Sequence, residues 1–120
     1  MIKSILLIVC SLVVLGGCAT AKQQSDMPLT NYDQDTKYGI RENKSGFEIE
    51  IYYSRFQFFP ESDAVATACK SQLLAIAWDY SDKAGKEIKP INEQRIRISM
   101  GRNGFTGITS CRAHAVAKWK

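Results

Sequence analysis

Glu93, Ser110 and His114 are an acid, a nucleophile and a base, the residue types of a hydrolytic triad. A working triad of this kind also needs a strained turn to present the serine and donors for the oxyanion, and neither accompanies Ser110. His114 is the one histidine of the chain and has no partner at metal-ligand spacing. The stretch GRNGFTG at residues 101–107 carries three glycines. A phosphate cradle would need a helix N-terminus after it, whereas the residues that follow alternate like a strand. The glycines therefore read as turn and bulge positions. No enzyme, cofactor or metal site is expected. The distribution of charge points to binding instead: from Arg95 to Lys120 there are six basic residues and no acid, while residues 23–50 carry six acids against three bases. Arg95, Arg97, Arg112 and His114 form the candidate binding face, and like charges gathered there call for an anionic partner.

The elements that must position these residues follow from periodicity. Residues 47–59, FEIEIYYSRFQFF, open with Phe47, Ile49, Ile51 and Tyr53 on one face and Glu48 and Glu50 on the other, which predicts a strand that Pro60 stops. Residues 61–85 have the helical period, with Val65, Cys69, Leu73, Ile76 and Tyr80 on one stripe, Ser62 as N-cap and Gly85 as the C′ residue. A second strand carries Ile96, Ile98 and Met100, and a third runs through 105–119 with Thr109, Cys111, Ala113, Ala115, Ala117 and Trp119 on one face. Asn103-Gly104 predicts a two-residue hairpin turn between them. That turn sets Ile96 opposite Cys111, Ile98 opposite Thr109 and Met100 opposite Gly107, so the apolar faces coincide. On the other face it sets Arg95 opposite Arg112, Arg97 opposite Ser110 and Glu93 opposite His114. A right-handed crossover then predicts an α+β fold of order β-α-β-β: a three-stranded antiparallel sheet, third strand central, with one helix on one face. The row of alanines suits the central place.

The N-terminus settles where such a domain works. Lys3 precedes the apolar run ILLIVCSLVVL at residues 5–15. As a helix this run rises about 16 Å, half of a hydrocarbon core of about 30 Å, so it sorts the chain rather than spanning a membrane. The tetrad Leu15-Gly16-Gly17-Cys18 that follows resembles the lipobox of bacterial lipoproteins. The resemblance covers residues 1–18 and implies that residues 1–17 are removed as a signal peptide and that Cys18 carries the lipid. Residue 19 is Ala rather than the Asp that often retains such lipoproteins in the inner membrane, which implies the inner leaflet of the outer membrane, with the domain facing the periplasm. Residues 18–37 would then be the lipidated cysteine and a polar, flexible tether with a span of roughly 25 Å, and residues 38–120 the periplasmic domain.

Removal of residues 1–17 also takes Cys10, and acylation uses Cys18, leaving Cys69 and Cys111 in an oxidising compartment. Cys69 lies on the helix stripe and Cys111 on the matching strand face, so a disulfide between them is expected. The net charge falls only from +4 to +3, because Lys3 alone is lost. The expected function is that of an outer-membrane-anchored, non-catalytic binding or envelope-assembly module. Its partners would be the membrane through the lipid, and a protein or anionic envelope component such as an acidic glycan, an acidic protein surface or lipid phosphates, not nucleic acid. Self-association through sheet edges is a further expectation. Two alternatives accompany this reading. Anchor, tether and stapled α/β domain loosely resemble an envelope stress-sensing lipoprotein, although this chain has neither extra cysteines nor a long proline-rich tether. A periplasmic hydrolase would require Glu93, Ser110 and His114 to converge.

Overall fold

The alternation at Phe47, Ile49, Ile51 and Tyr53 does build a strand, and its apolar side is buried throughout. A computed structural model of the chain describes residues 20–120; Cys18 and the apolar run before it lie outside the described residues. The described elements are β1 (Thr30–Asn31), β2 (Thr36–Asn43), β3 (Gly46–Phe56), α1 (Ser62–Ala84), β4 (Arg97–Asn103) and β5 (Ile108–Lys118), with a short 3-10 helix at Glu93–Arg95. All pairings are antiparallel and the sheet order is β1-β2-β3-β5-β4.

This corrects the expected three-stranded sheet: among the described residues there are five strands, and the class remains α+β. The added pair comes from residues read as tether and domain entry. β2 is joined to β3 by a two-residue turn, in which the Asn43 side-chain oxygen accepts from the backbone and hydroxyl of Ser45. In β2 only Tyr38 and Ile40 are large and apolar, and both are merely half-buried. Its place is fixed mainly by its ladder with β3.

One sheet face carries the core. Phe47, Ile49, Ile51 and Tyr53 of β3 and Cys111, Ala113, Ala115 and Ala117 of β5 meet Val65, Cys69, Leu73, Ile76 and Ala77 of α1. β5 lies between β3 and β4, where its alanines let the helix approach the middle of the sheet. The helix begins without a side-chain cap, because Ser62 is its first residue and Glu61 the cap; it ends at Gly85, whose left-handed backbone (φ 69°) returns its N–H to the carbonyls of the last turn. Cys69 and Cys111 are joined in a disulfide across this interface, with α-carbons 6.3 Å apart and a sequence separation of 42. In a chain-entropy account a loop of that length contributes about 4 kcal/mol by restricting the unfolded chain, a large share for a small core.

The β4–β5 hairpin differs from its expected register by four residues. Ile98 faces Ala113, Met100 faces Cys111, Ser99 faces Arg112 and Arg97 faces His114. The loop spans residues 104–107 rather than Asn103-Gly104: the Asn103 side chain accepts from the amides of Phe105 and Thr106, and Gly107 adopts a left-handed φ of 74°. A slip of four preserves the side-chain period of two, so every apolar residue stays on the core face while every cross-strand partner changes. Arg95 therefore does not oppose Arg112, nor Glu93 His114.

The largest departure concerns the tether. Residues 20–29 do not hang free but lie as a strap across the outer face of the sheet. The Ala21 amide donates to Ser110 Oγ (3.1 Å), the Lys22 amide to Ser99 Oγ (2.9 Å) and the Gln24 amide to Glu50 Oε1 (2.8 Å). The Gln24 carboxamide donates to the carbonyls of Arg97 and Arg112, and Ser25 Oγ donates to Glu50 Oε2. Met27 is buried against Gly39. The strap passes so close to the sheet that a β-carbon on Gly101 would sit 2.5 Å from the carbonyl carbon of Thr20. Replacing Gly101 with Val should accordingly lift the start of the strap. Amide exchange at Ala21 and Lys22 should quicken on the order of tenfold or more while amides of α1 hold their protection; equal exchange in both proteins would mean that the strap does not dock there.

Candidate functional site

The site is made by an interruption of the ladder. Ile88 bridges Trp119, and Arg97 pairs with His114, so between these two points the strand before β4 has four more residues than β5. Pro90 cannot donate to a ladder, and Asn92 caps a 3-10 turn by accepting from the Gln94 amide (3.0 Å), so the surplus leaves the sheet as an excursion. The excursion forms one wall of a cleft of about 540 Å³ over the end of β5. Lys89, Arg95, Arg97 and Lys118 stand around it, with Ile91 and His114.

Among the described residues, no acid lines this cleft. The carboxylates nearest in the sheet are already engaged: Glu48 pairs with Arg41 at 3.8 Å and Glu50 is held by the strap. Among the described residues, none of the four cations of the cleft makes an ion pair. Lys89, Arg95, Arg97 and Lys118 are exposed, so their charge is available to solvent and to ligands.

His114 occupies the inner end and is only 4% exposed. Arg97 Nη2 lies 3.0 Å from its Nδ1. A guanidinium has donors only, so Nδ1 accepts and the ring proton resides on Nε2. Burial pushes the imidazole below its ordinary value, and the Arg97 charge pushes it the same way, against weaker opposing pulls from Glu48 and Glu50. His114 is therefore a neutral acceptor that orients Arg97.

Of the four candidate face residues, the cleft unites Arg95, Arg97 and His114 but not Arg112. Arg112 stacks over the ring of Tyr52 at 4.8 Å and borders a second depression with Thr20, Ala21, Leu29 and Lys37. Its Nε and Nη1 are buried without an acceptor. The triad does not assemble: Glu93 is exposed in the 3-10 turn, and Ser110 lies four residues from His114 on one strand, roughly 13 Å away. Ser110 Oγ is occupied by the Ala21 amide and the Gly101 carbonyl, and His114 Nδ1 by Arg97. Two cleft residues, Lys89 and Lys118, were not singled out by sequence. The basic run toward the C-terminus contained Lys118, and the Ile88–Trp119 bridge sets Lys89 beside it, with the Lys89 amide donating to the Lys118 carbonyl (2.8 Å).

The sign of the His114 shift sets a pH dependence. Its folded value lies below the unfolded value of about 6.5, so the unfolded chain binds the proton first. The stabilisation from neutral His114 is complete above about pH 6.5 and declines as pH falls through the folded value. Urea unfolding should show stability decreasing from about pH 7.5 toward about pH 5, a range that brackets an ordinary histidine, and His114→Gln should flatten that decrease. The same slope in both proteins would show that His114 is not its source. Protein-family models, curated proteins and solved structures were compared with this chain, and none matches it.

Proposed function

We propose that this chain is a lipid-anchored periplasmic protein of the outer membrane that binds an anionic envelope partner in the cleft around His114 and catalyses no reaction. The observation that carries the binding part is the charge balance of that cleft, where four cations converge with no acid to answer them. Such clustering costs stability unless an anion neutralises it, and it raises the local concentration of anions. A ligand carboxylate or phosphate entering the cleft meets the fork of Arg97, already oriented by His114, and the mobile ammonium groups of Lys89 and Lys118. The apolar floor, with Ile91, Ala115 and Val116, suits a partner that offers both charge and hydrocarbon. The lipobox supports the address: an acidic protein surface, an acidic glycan and lipid phosphates are the anions present there.

The anchor has a direct test. Cys18→Ala should abolish labelling by a fatty-acid probe and release the protein from the membrane fraction, with the domain still folded. A mature protein that is unacylated at an intact Cys18 would end the anchor reading.

The cleft is tested separately. Lys89→Glu, Arg95→Glu and Lys118→Glu together should leave folding nearly intact, since exposed substitutions usually change stability by about half a kcal/mol or less each. Capture of the partner by crosslinking in intact cells should be lost in the triple variant, and wild-type capture by the isolated protein should weaken as salt rises. Undiminished, salt-independent capture by the variant would place binding elsewhere.

A further inference from the structure

Four of the five phenylalanines of this chain are not in the core but together at one end of the domain. Phe56 is 62% exposed, Phe58 79%, Phe59 75% and Phe105 100%. Phe56 ends β3 and is paired with Ile108, the first residue of β5, which is itself exposed. A β-carbon on Gly107 would lie 2.7 Å from the Phe56 ring, so the 104–107 loop that displays Phe105 packs directly on Phe56. The Gln57 amide donates to the Gly107 carbonyl (2.8 Å), and Arg102 donates to the Gln57 carbonyl, which ties the turn carrying Phe58 and Phe59 to the same loop. Phe58 and Phe59 pack edge to face with ring centroids 5.0 Å apart. Singly exposed apolar residues are ordinary on protein surfaces; four exposed rings gathered on two adjoining loops that backbone hydrogen bonds tie together mark an interaction surface.

The strap says what that surface meets. Thr20 lies against Gly101, and the Ala21 amide is bonded to Ser110, two residues from Asn103 and from Ile108 at the base of the aromatic loop. Running backwards from Gln24, the strap moves along β4 from Arg97 past Ser99 to Gly101, toward that loop. Cys18 precedes Thr20 by two residues, a reach of about 7 Å whatever path those residues take. The reading of Cys18 as the lipidated residue is the foundation here. On it, the acyl chains enter the bilayer within a few residues' length of four exposed phenylalanine rings. From the distances and the exposed rings we infer that the aromatic end, Phe56, Phe58, Phe59 and Phe105, seats in the interfacial layer of the membrane that holds the anchor. The lipid then fixes the domain's orientation as well as its address, since rings at the headgroup–acyl boundary oppose tumbling about the anchor.

The test uses the mature acylated protein in phosphatidylcholine–phosphatidylglycerol vesicles that include lipids brominated near the headgroup end of their chains. Phe105→Trp places a fluorophore on a fully exposed side chain, so folding is not at stake. The wild type supplies the background: Trp78 lies about 24 Å along α1 from its start, and Trp119 eleven residues from Ile108. Binding to the vesicles should blue-shift the added emission and brominated lipid should quench it while leaving wild-type emission nearly unchanged, and Phe58→Ser with Phe59→Ser should reduce that quenching. Mass spectrometry of Cys18 and flotation with the vesicles are read on the same sample. Acylated, floating protein without quenching overturns the aromatic seat and leaves the anchor standing, as does a protein crosslink to the phenylalanine end that excludes lipid. Unacylated Cys18 overturns both.

Discussion

Glu50 sits fully buried in the middle of the outer sheet face, and most of what distinguishes this molecule depends on satisfying it. A carboxylate removed from water carries a large cost unless hydrogen-bond donors meet both of its oxygens. The sheet offers Gly39 on one side and His114 on the other, neither of which supplies such donors. The strap does: the amide of Gln24 meets one oxygen and the hydroxyl of Ser25 the other. Once those bonds form, the adjoining residues are committed. Ala21 and Lys22 fall on the serines of β5 and β4, Met27 falls on Gly39, and the face becomes covered. The burial of Glu50 and its satisfaction are one event, and the ordering of the N-terminal segment is its consequence.

That dependence explains where the sequence could be read and where it could not. The helix stripe at Val65, Cys69, Leu73 and Ile76, the apolar side of β3 and the buried face of β5 follow from local period and hydrophobicity, because burial of one face is what those elements are for. The cysteine pair followed from the same faces. The register of β4 with β5 did not, because a slip of four leaves the alternation untouched, and Asn-Gly is a strong turn signal that a four-residue loop can also use. Gly101 and Gly107 held the missing information: one makes room for the Thr20 backbone and the other for the Phe56 ring, and both contacts lie beyond local pattern. β2 was hidden for a related reason. Its two half-buried apolar residues give a weak alternation, and its ladder with β3 supplies what hydrophobicity does not.

The candidate face was half legible. Arg95, Arg97 and His114 do share a site, though not as neighbours across a regular ladder: the Pro90 excursion lifts Arg95 out of the sheet and sets it on the rim of a cleft. The expected repulsion between Arg95 and Arg112 is therefore absent, and the ring of Tyr52 answers Arg112 instead. The concentration of positive charge persists, moved from a flat face to a cleft that is open to solvent.

The cleft and the aromatic loop lie toward opposite ends of β5, and the distance between them restricts the partner. Six residues separate Ile108 from His114, roughly 20 Å of strand. Were β5 to stand upright with the phenylalanine end at the bilayer, the cleft would lie about two screening lengths or more from the headgroups, each about 8 Å at physiological ionic strength. Phosphates of the anchoring leaflet would then neither reach the cleft nor act on it through the solvent. Of the anions proposed, an acidic glycan and an acidic protein surface would remain. The short Cys18-to-strap connection adds to this restriction, since a docked strap does not give the domain the wide search volume of a free coil. On the proposed anchor, reach outward would therefore come from the partner rather than from a swinging domain.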